Sequence, residues 1–397
     1  MPSAAVPSAS ERAESWLAAN ADQLVTWRRH LHRHPELSRQ EYATTAFVAQ
    51  QLSDAGLKPE VLPNGTGLIC DFGPDDTPRV ALRADIDALP MTEQTGLPFA
   101  SSVPGATHAC GHDAHTAILI GTGLALAEHA AELPVGVRLV FQAAEELMPG
   151  GAIDAIAAGA MTGVSRIFAL HCDPRLAAGK VATIPGPITS AADTIEITVT
   201  GPGGHTSRPH LTGDLVYGLG TLITGLPGVL SRRIDPRNST VMVWGAVESG
   251  MAPNAIPQFG RLAGTVRTAS RETWVQLEAI VEEAVTSLLA PLHIEHTLNY
   301  RRGVPPVVNE EVSTRMFTHA IEALGPDALA DTRQSGGGED FSWYLEEVPG
   351  AMARLGVWPG HGPQLDLHQP TFDLDERALA IGVRVLAGLV DQAGALG

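Results

Sequence analysis

Short apolar runs that each stop on a chemically capable residue constrain this chain more than any other feature. VALRAD (Val80–Asp85) ends on Asp85, with Asp87 two residues on. GVRLVFQAA (Gly136–Ala144) leads straight into Glu145 and Glu146. RIFALHC (Arg166–Cys172) carries His171 near its end. Each run is short and rich in Val, Leu, Ile and Phe, as strands buried on both faces are. Helical stretches near 114–130 and 152–158 separate them, so the alternation predicts a parallel sheet covered by helices. Ligands bind such sheets beyond the carboxyl ends of the strands, and these end residues are the first candidates for chemistry.

After about Pro187 the pattern changes. DTIEITVTG (193–201) alternates with period two, and strands are predicted near 239–247, 261–267 and 293–300. Helices fall at about 214–230 and 271–289, which gives the β-α-β-β-α-β order of a ferredoxin-like unit. The first pattern returns from Asn309, with a helix at 310–324, a strand near 351–357 and a terminal helix at about 374–393. The expected fold is α/β: a catalytic domain with a mainly parallel sheet covered by helices, plus an inserted ferredoxin-like α+β domain. Its expected boundaries are 11–187 for the first catalytic part, 188–302 for the insert and 303–397 for the second catalytic part. The first ten residues, rich in Ala, Ser and Pro, read as frayed. Asn20 reads as the N-cap of a helix stopped by Pro35, and Ser38–Glu41 as a capping box opening a helix to Leu52. Gly338, Glu339 and Asp340 are expected to build a helix N-terminus near the site.

Composition excludes several functions. The 397 residues hold 26 Lys and Arg against 44 Asp and Glu, a net charge of −18. A nucleic-acid binder needs a basic face, and none is visible. The longest nearly apolar run, about 117–127, falls short of the ~20 residues of a membrane span. Three cysteines, Cys70, Cys110 and Cys172, are too few for a disulfide framework. With no signal peptide visible at the N-terminus, these features predict a soluble, cytoplasmic protein with no nucleic-acid or membrane partner.

The loop before the 114–130 helix reads His108-Ala109-Cys110-Gly111-His112-Asp113, with His115 one turn on. Downstream, a Pro/Gly-rich loop presents His361 and His368. Thiolate and imidazole suit zinc and its transition-metal neighbours. A set of Cys, His, Glu, His and His exceeds one open tetrahedron but suits two ions sharing a bridge, ~3.5–4 Å apart. Cys110 and His112, two apart in an extended loop, can face one point. Glu145 and Glu146 are adjacent at a strand end, so their side chains diverge. One can ligate while the other stays free as a base. His30, His32 and His34 read as a solvated or packing face, and Cys70 and Cys172 as buried apolar residues.

The segments WRRHLHRHPELSRQEYAT, ALRADIDALPMTEQTGLPFAS, THACGHDAHTA, FQAAEE, FALHC, GPGGHTSRPH, APNAIP, GTVRT, GGGEDF and LHQPTFD run in order from residue 27 to 373. Together they resemble the M20 metallopeptidase family, in its amidohydrolase branch of auxin-conjugate hydrolases, hippurate hydrolases and N-acyl-amino-acid aminoacylases. The resemblance implies Cys110, His112, Glu146, His171 and His368 as metal ligands, with Cys110 bridging. It implies Glu145 as general base, Asp87 as the residue orienting a ligand, and His205 as the oxyanion donor. Asn254 and Arg267 would hold the substrate carboxylate. Asp85 is not counted as a ligand, because the branch with Cys at the bridging position does not ligate there. HTSRPH departs from the branch, which often has a Gly after the His, and the departure bears on the acyl or side-chain pocket.

The function so implied is metal-dependent hydrolysis of a small N-acyl amino acid (acetyl, benzoyl, indoleacetyl or similar) to a carboxylic acid and a free amino acid. Two divalent ions per subunit would be zinc or manganese, with nickel or cobalt as alternatives. A homodimer joined through the lid domain would place His205 in the neighbour's site. The alternative activity is a dipeptidase or carboxypeptidase on the same scaffold. A non-catalytic relative would have lost a ligand or the base, and all are present.

Overall fold

A computed structural model describes residues 6–395, and the chain divides into two compact units. The first unit comprises the chain up to Gly186, Val308–Arg333 and the residues from Asp340 on. Among the described residues its sheet has eight strands. In spatial order they are Pro59–Val61, Leu68–Phe72, Gly136–Gln142, Arg79–Asp85, Val164–Ala177, Gly350–Trp358, Val181–Ala182 and Leu329–Ala330. The four central strands pair parallel. Their flanks, Leu68–Phe72 and Val181–Ala182, pair antiparallel. Continuous burial along Gly136–Gln142 and Gly350–Trp358 follows from cover on both faces.

The helix His112–Ala127 packs with Ala9–Arg33 and Arg377–Gly394 in one core. It is buried nearly all round, and its residues are apolar nearly all round as well. The first helix begins at Ala9, not near Asn20. Ser8 and Glu11 form its capping box, and Asp391 accepts from the backbone of Ala9 and Ser10. Burial of Ala9, Ala13 and Leu17 extends the helix through Asn20, whose side chain bonds the Trp16 carbonyl. Residues 6–10 are therefore ordered; the expected fraying of residues 1–5 lies outside the described residues.

The Ser38–Glu41 capping box does not form either. Helix Tyr42–Asp54 receives no side-chain cap from its N-cap residue Glu41. Glu36 caps it instead, accepting from the backbone of Ala43 and Thr44 at 3.1 and 2.7 Å.

The second unit is Pro187–Val307 with Gln334–Glu339. Its sheet runs Val241–Ser249, Phe259–Thr268, Ala191–Thr200, Glu295–Val304, antiparallel throughout. Helices Leu215–Arg233 and Arg271–Leu289 bury one face of it, which is the ferredoxin-like arrangement. The stretch 334–339, which the sequence alone assigns to the catalytic part, groups here.

Candidate metal centre

Cys110 and His112 flank Gly111, whose φ is +91°. A Cβ there would meet Cys172 Sγ at 2.8 Å, so only glycine both adopts this backbone and leaves room. The next helix starts at His112. Its Nδ1 donates to the Asp87 carbonyl at 2.9 Å and lies 3.2 Å from Asp87 Oδ1. That leaves the Nε2 lone pair for a ligand. Nε2 is buried without a hydrogen-bond partner, 3.7 Å from Asp85 Oδ2 and 3.9 Å from Glu146 Oε1. Burial opposes a charge on this ring, but Asp85 and Asp87 outweigh it and raise His112 to about 10. A metal cation at Nε2 would satisfy the same carboxylates.

The other donors converge on Cys110. His171 lies within its strand, which continues to Ala177 rather than stopping at Cys172. His171 Nδ1 donates to the Cys172 carbonyl at 2.8 Å, and Nε2 lies 3.6 Å from Cys110 Sγ. Burial, with His115 and Arg354 nearby, holds this ring well below the usual histidine range, so it is neutral and fit to ligate. His368, at φ +59°, donates its backbone N–H to the Ala109 carbonyl at 2.8 Å. Its Nε2 is 3.3 Å from Glu146 Oε1. Donor atoms of Cys110, His112 and His171 lie within 4.8 Å of one another, and so do those of Cys110, Glu146 and His368. Cys110 belongs to both triads, the place of a bridging ligand. His112, Glu145 and Glu146 form a third such group, with Glu145 buried. One thiolate, three imidazoles and a carboxylate fit two transition-metal ions.

The strand before the glutamates ends at Gln142, two residues short of expectation. Ala144 then turns left-handed at φ +58°. Asp87 Oδ2 accepts the Glu146 N–H at 3.0 Å and the Ser38 hydroxyl at 2.7 Å. Asp87 thus touches both the His112 ring and the glutamate turn.

Asp85, His112 and His115 also cluster, but Asp85 is committed elsewhere. It lies 2.6 Å from His115 Nδ1 and 2.5 Å from Arg83 Nη1. His115 Nε2 accepts the Cys172 N–H at 2.9 Å. Arg83 also reaches Gln142 and Asp340 at 2.9 and 2.8 Å. Sequence reasoning missed this scaffold; its signal was an arginine inside a buried apolar run. Asp340 serves here, at the N-terminus of a 3₁₀ turn, Asp340–Trp343, that runs directly into the helix Tyr344–Glu347, close to the expected helix start.

The three N-terminal histidines do not form a metal cluster. His30 stacks on Phe47 and lies tilted against His34. His32 is buried between Asp113 and Glu93, at 2.8 and 3.3 Å. Buried Arg28 joins the same network, bonding Asp113, Asp373 and Glu376. Cys70 and Cys172 are buried and free.

In the second unit, His205 pairs with Ala255 in a two-stranded ribbon beside Asn254. The Ser207 N–H donates to His205 Nδ1 at 3.1 Å, which leaves Nε2 as the proton-bearing nitrogen. Arg267 pairs with Ala192 at the far end of its strand, and its Nη1 donates to the Gly336 carbonyl at 2.6 Å. His205 and Arg267 are therefore not brought together within this unit. Most of the Phe259–Thr268 strand separates them, roughly 25 Å at ~3.3 Å per residue.

Fold and donor cluster together fit a metal-dependent hydrolase. Residues 81–392 match Peptidase family M20/M25/M40, and the chain belongs to that family. It is 56% identical over 94% of its length to a Rhodococcus jostii protein named putative glutamate–cysteine ligase 2-3, of which it spans 47%. It is 37% identical to an N-acetyl-L-cysteine deacetylase of Bacillus subtilis, over 90% of this chain and 85% of that one. A dinuclear metal-binding M20 peptidase of Bacillus subtilis superposes with a TM-score of 0.82 at 34% identity, covering 94% of this chain and 98% of that one. Among the described residues no helix is long and apolar enough to cross a membrane.

Proposed function

We propose that this chain hydrolyses the amide bond of N-acyl amino acids, with two divalent ions held by Cys110, His112, Glu146, His171 and His368. The observation that carries the reading is the sharing of Cys110 by two donor triads, with Glu145 beside them. The deacetylase among the relatives supports an acyl-amide substrate. Bound zinc or manganese would polarise the carbonyl and lower the pKa of water. The protein's own part begins with Asp87, which holds His112 Nδ1 and so aims Nε2. Glu145 takes the proton of the attacking water and delivers it to the leaving amine. His205 donates from Nε2 to the developing oxyanion. Arg267 receives the substrate carboxylate, for which a planar guanidinium is suited, and Asn254, which sits beside His205, joins it from the partner's unit as His205 does. Keeping Cys110 reduced fits a cytoplasmic setting. A screen of the metal-loaded protein with acetyl-, benzoyl- and indoleacetyl-amino acids against dipeptides, detecting product amine, tests the reading. Turnover of dipeptides alone would shift it to a dipeptidase, and turnover of nothing would overturn it.

The same reading makes the enzyme a homodimer with His205 acting in the partner's site. Among the described residues the Val241–Ser249 strand pairs on one side only, and it exposes Val241, Val243 and Val247. An open apolar edge invites a second copy. The separation of His205 from Arg267 supports a site completed in trans. Inactive His205→Ala and Glu145→Gln subunits, allowed to exchange, should then recover about a quarter of wild-type sites, because half the dimers are mixed and each has one intact site. No recovery despite proven exchange would return His205 to its own subunit.

A further inference from the structure

Two non-glycine residues in the left-handed conformation meet at one buried oxygen. Arg39 has φ +67° and Ala144 has φ +58°. Both donate their backbone N–H to Oε1 of Glu41, at 2.9 and 2.8 Å. A side chain makes this conformation costly, so it persists only where the surroundings dictate it. Ala144 is the residue immediately before Glu145. Its carbonyl accepts the Gly151 N–H at 2.9 Å, which closes the turn on the other side. A Cβ on Gly151 would lie 2.0 Å from the Ala143 carbonyl, so the turn has no room to relax that way.

The Glu41 carboxyl has no other evident task. It does not cap its own helix, because Glu36 does. It is wholly buried, and Oε2 has no hydrogen-bond partner. A buried, half-satisfied carboxyl costs folding free energy rather than adding it. The same connector reaches the site a second time, where Ser38 bonds Asp87.

We propose that Glu41 is a positioning residue that fixes Ala144 in its left-handed turn and thereby aims Glu145 at the substrate. The inference rests on the reading of Glu145 as general base. It acts through backbone geometry, so what matters is an acceptor at Oε1, not a charge. Burial, reinforced by Asp87, pushes Glu41 up to about 7, which makes a neutral amide a close substitute near that pH.

Four variants test it on the metal-loaded enzyme. Glu41→Ala should lower kcat at least about tenfold with KM and metal content nearly unchanged, since small misplacements of a reacting group carry large rate costs. Glu41→Asp keeps the charge but shortens the reach, and should lose kcat as Ala does. Glu41→Gln keeps the acceptor and should stay within about threefold of wild type. Val48→Ala, a cavity in the same helix away from the turn, should lower the melting temperature and leave kcat alone. Amide exchange at Ala144 in the metal-free chain should accelerate in Glu41→Ala and Glu41→Asp but not in Glu41→Gln. Wild-type kcat in Glu41→Ala or Glu41→Asp, or a Gln variant as impaired as Ala, overturns the proposal. Full activity of Glu145→Gln would instead remove the reading beneath it.

Discussion

Glu145→Gln should keep its fold and its metal and lose turnover by about 10²–10⁴, the usual contribution of a positioned acid–base group. Glu146→Gln should do the opposite first: lose metal, and activity only as a consequence. The two residues are adjacent, yet their surroundings differ. Glu146 lies 3.3 Å from His368 Nε2 and 3.9 Å from His112 Nε2, and its N–H is held by Asp87. Glu145 groups with His112 and Glu146 but not with Cys110. Metal content by elemental analysis, measured beside kcat, separates the two roles. Depletion of metal in Glu145→Gln with retention in Glu146→Gln would reverse the assignment.

The second large effect is expected at Cys110. Cys110→Ser should lower the affinity for both ions, because the thiolate belongs to both donor triads. Serine stays protonated near neutral pH and binds such ions poorly. Loss of affinity of at least the ~10–100-fold seen for weaker perturbations of metal sites is expected, with turnover falling in parallel. The wild-type chain should show the same loss after oxidation of Cys110, reversible by thiol while the sulfur stops at the sulfenic stage. Two ions retained per chain in Cys110→Ser after dialysis would exclude a bridging role.

What the sequence made legible was set by short-range chemistry. Asp85 marks a strand end and Glu145 follows one closely because apolar runs precede them, and burial of those runs needs no distant information; His171 reads as a strand end too, but its strand continues to Ala177. The loop through Gly111 reads as extended, and neither its left-handed turn nor its closeness to Cys172 is legible locally. The misreadings share one cause. Ser38 and Glu41 have the spacing of a capping box, but their partners, Asp87 and Ala144, lie 49 and 103 positions away. Asn20 resembles a cap in a helix whose true start is fixed by Asp391. The Leu68–Phe72 strand was missed because its mixed residues carry no period, and only its pairing with Gly136–Gln142 defines it. His205, Asn254 and Arg267 rested on resemblance alone, since nothing local distinguishes them from turn and strand residues.

The buried arginines set an order on the molecule's own making. Arg83 in the second central strand relies on Asp340, and Arg28 in the first helix relies on Asp373 and Glu376. Those carboxylates leave the ribosome only after the whole inserted unit. A nascent chain that stopped before them would leave Arg83 to Asp85 and Arg28 to Asp113, each buried cation with part of its countercharge still to come. His368, the last metal donor, emerges in the same stretch. The strand Gly350–Trp358, which pairs with Val164–Ala177, is made there too, so the sheet and the full donor set are both completed only after the inserted unit, although Cys110, His112 and His171 precede it.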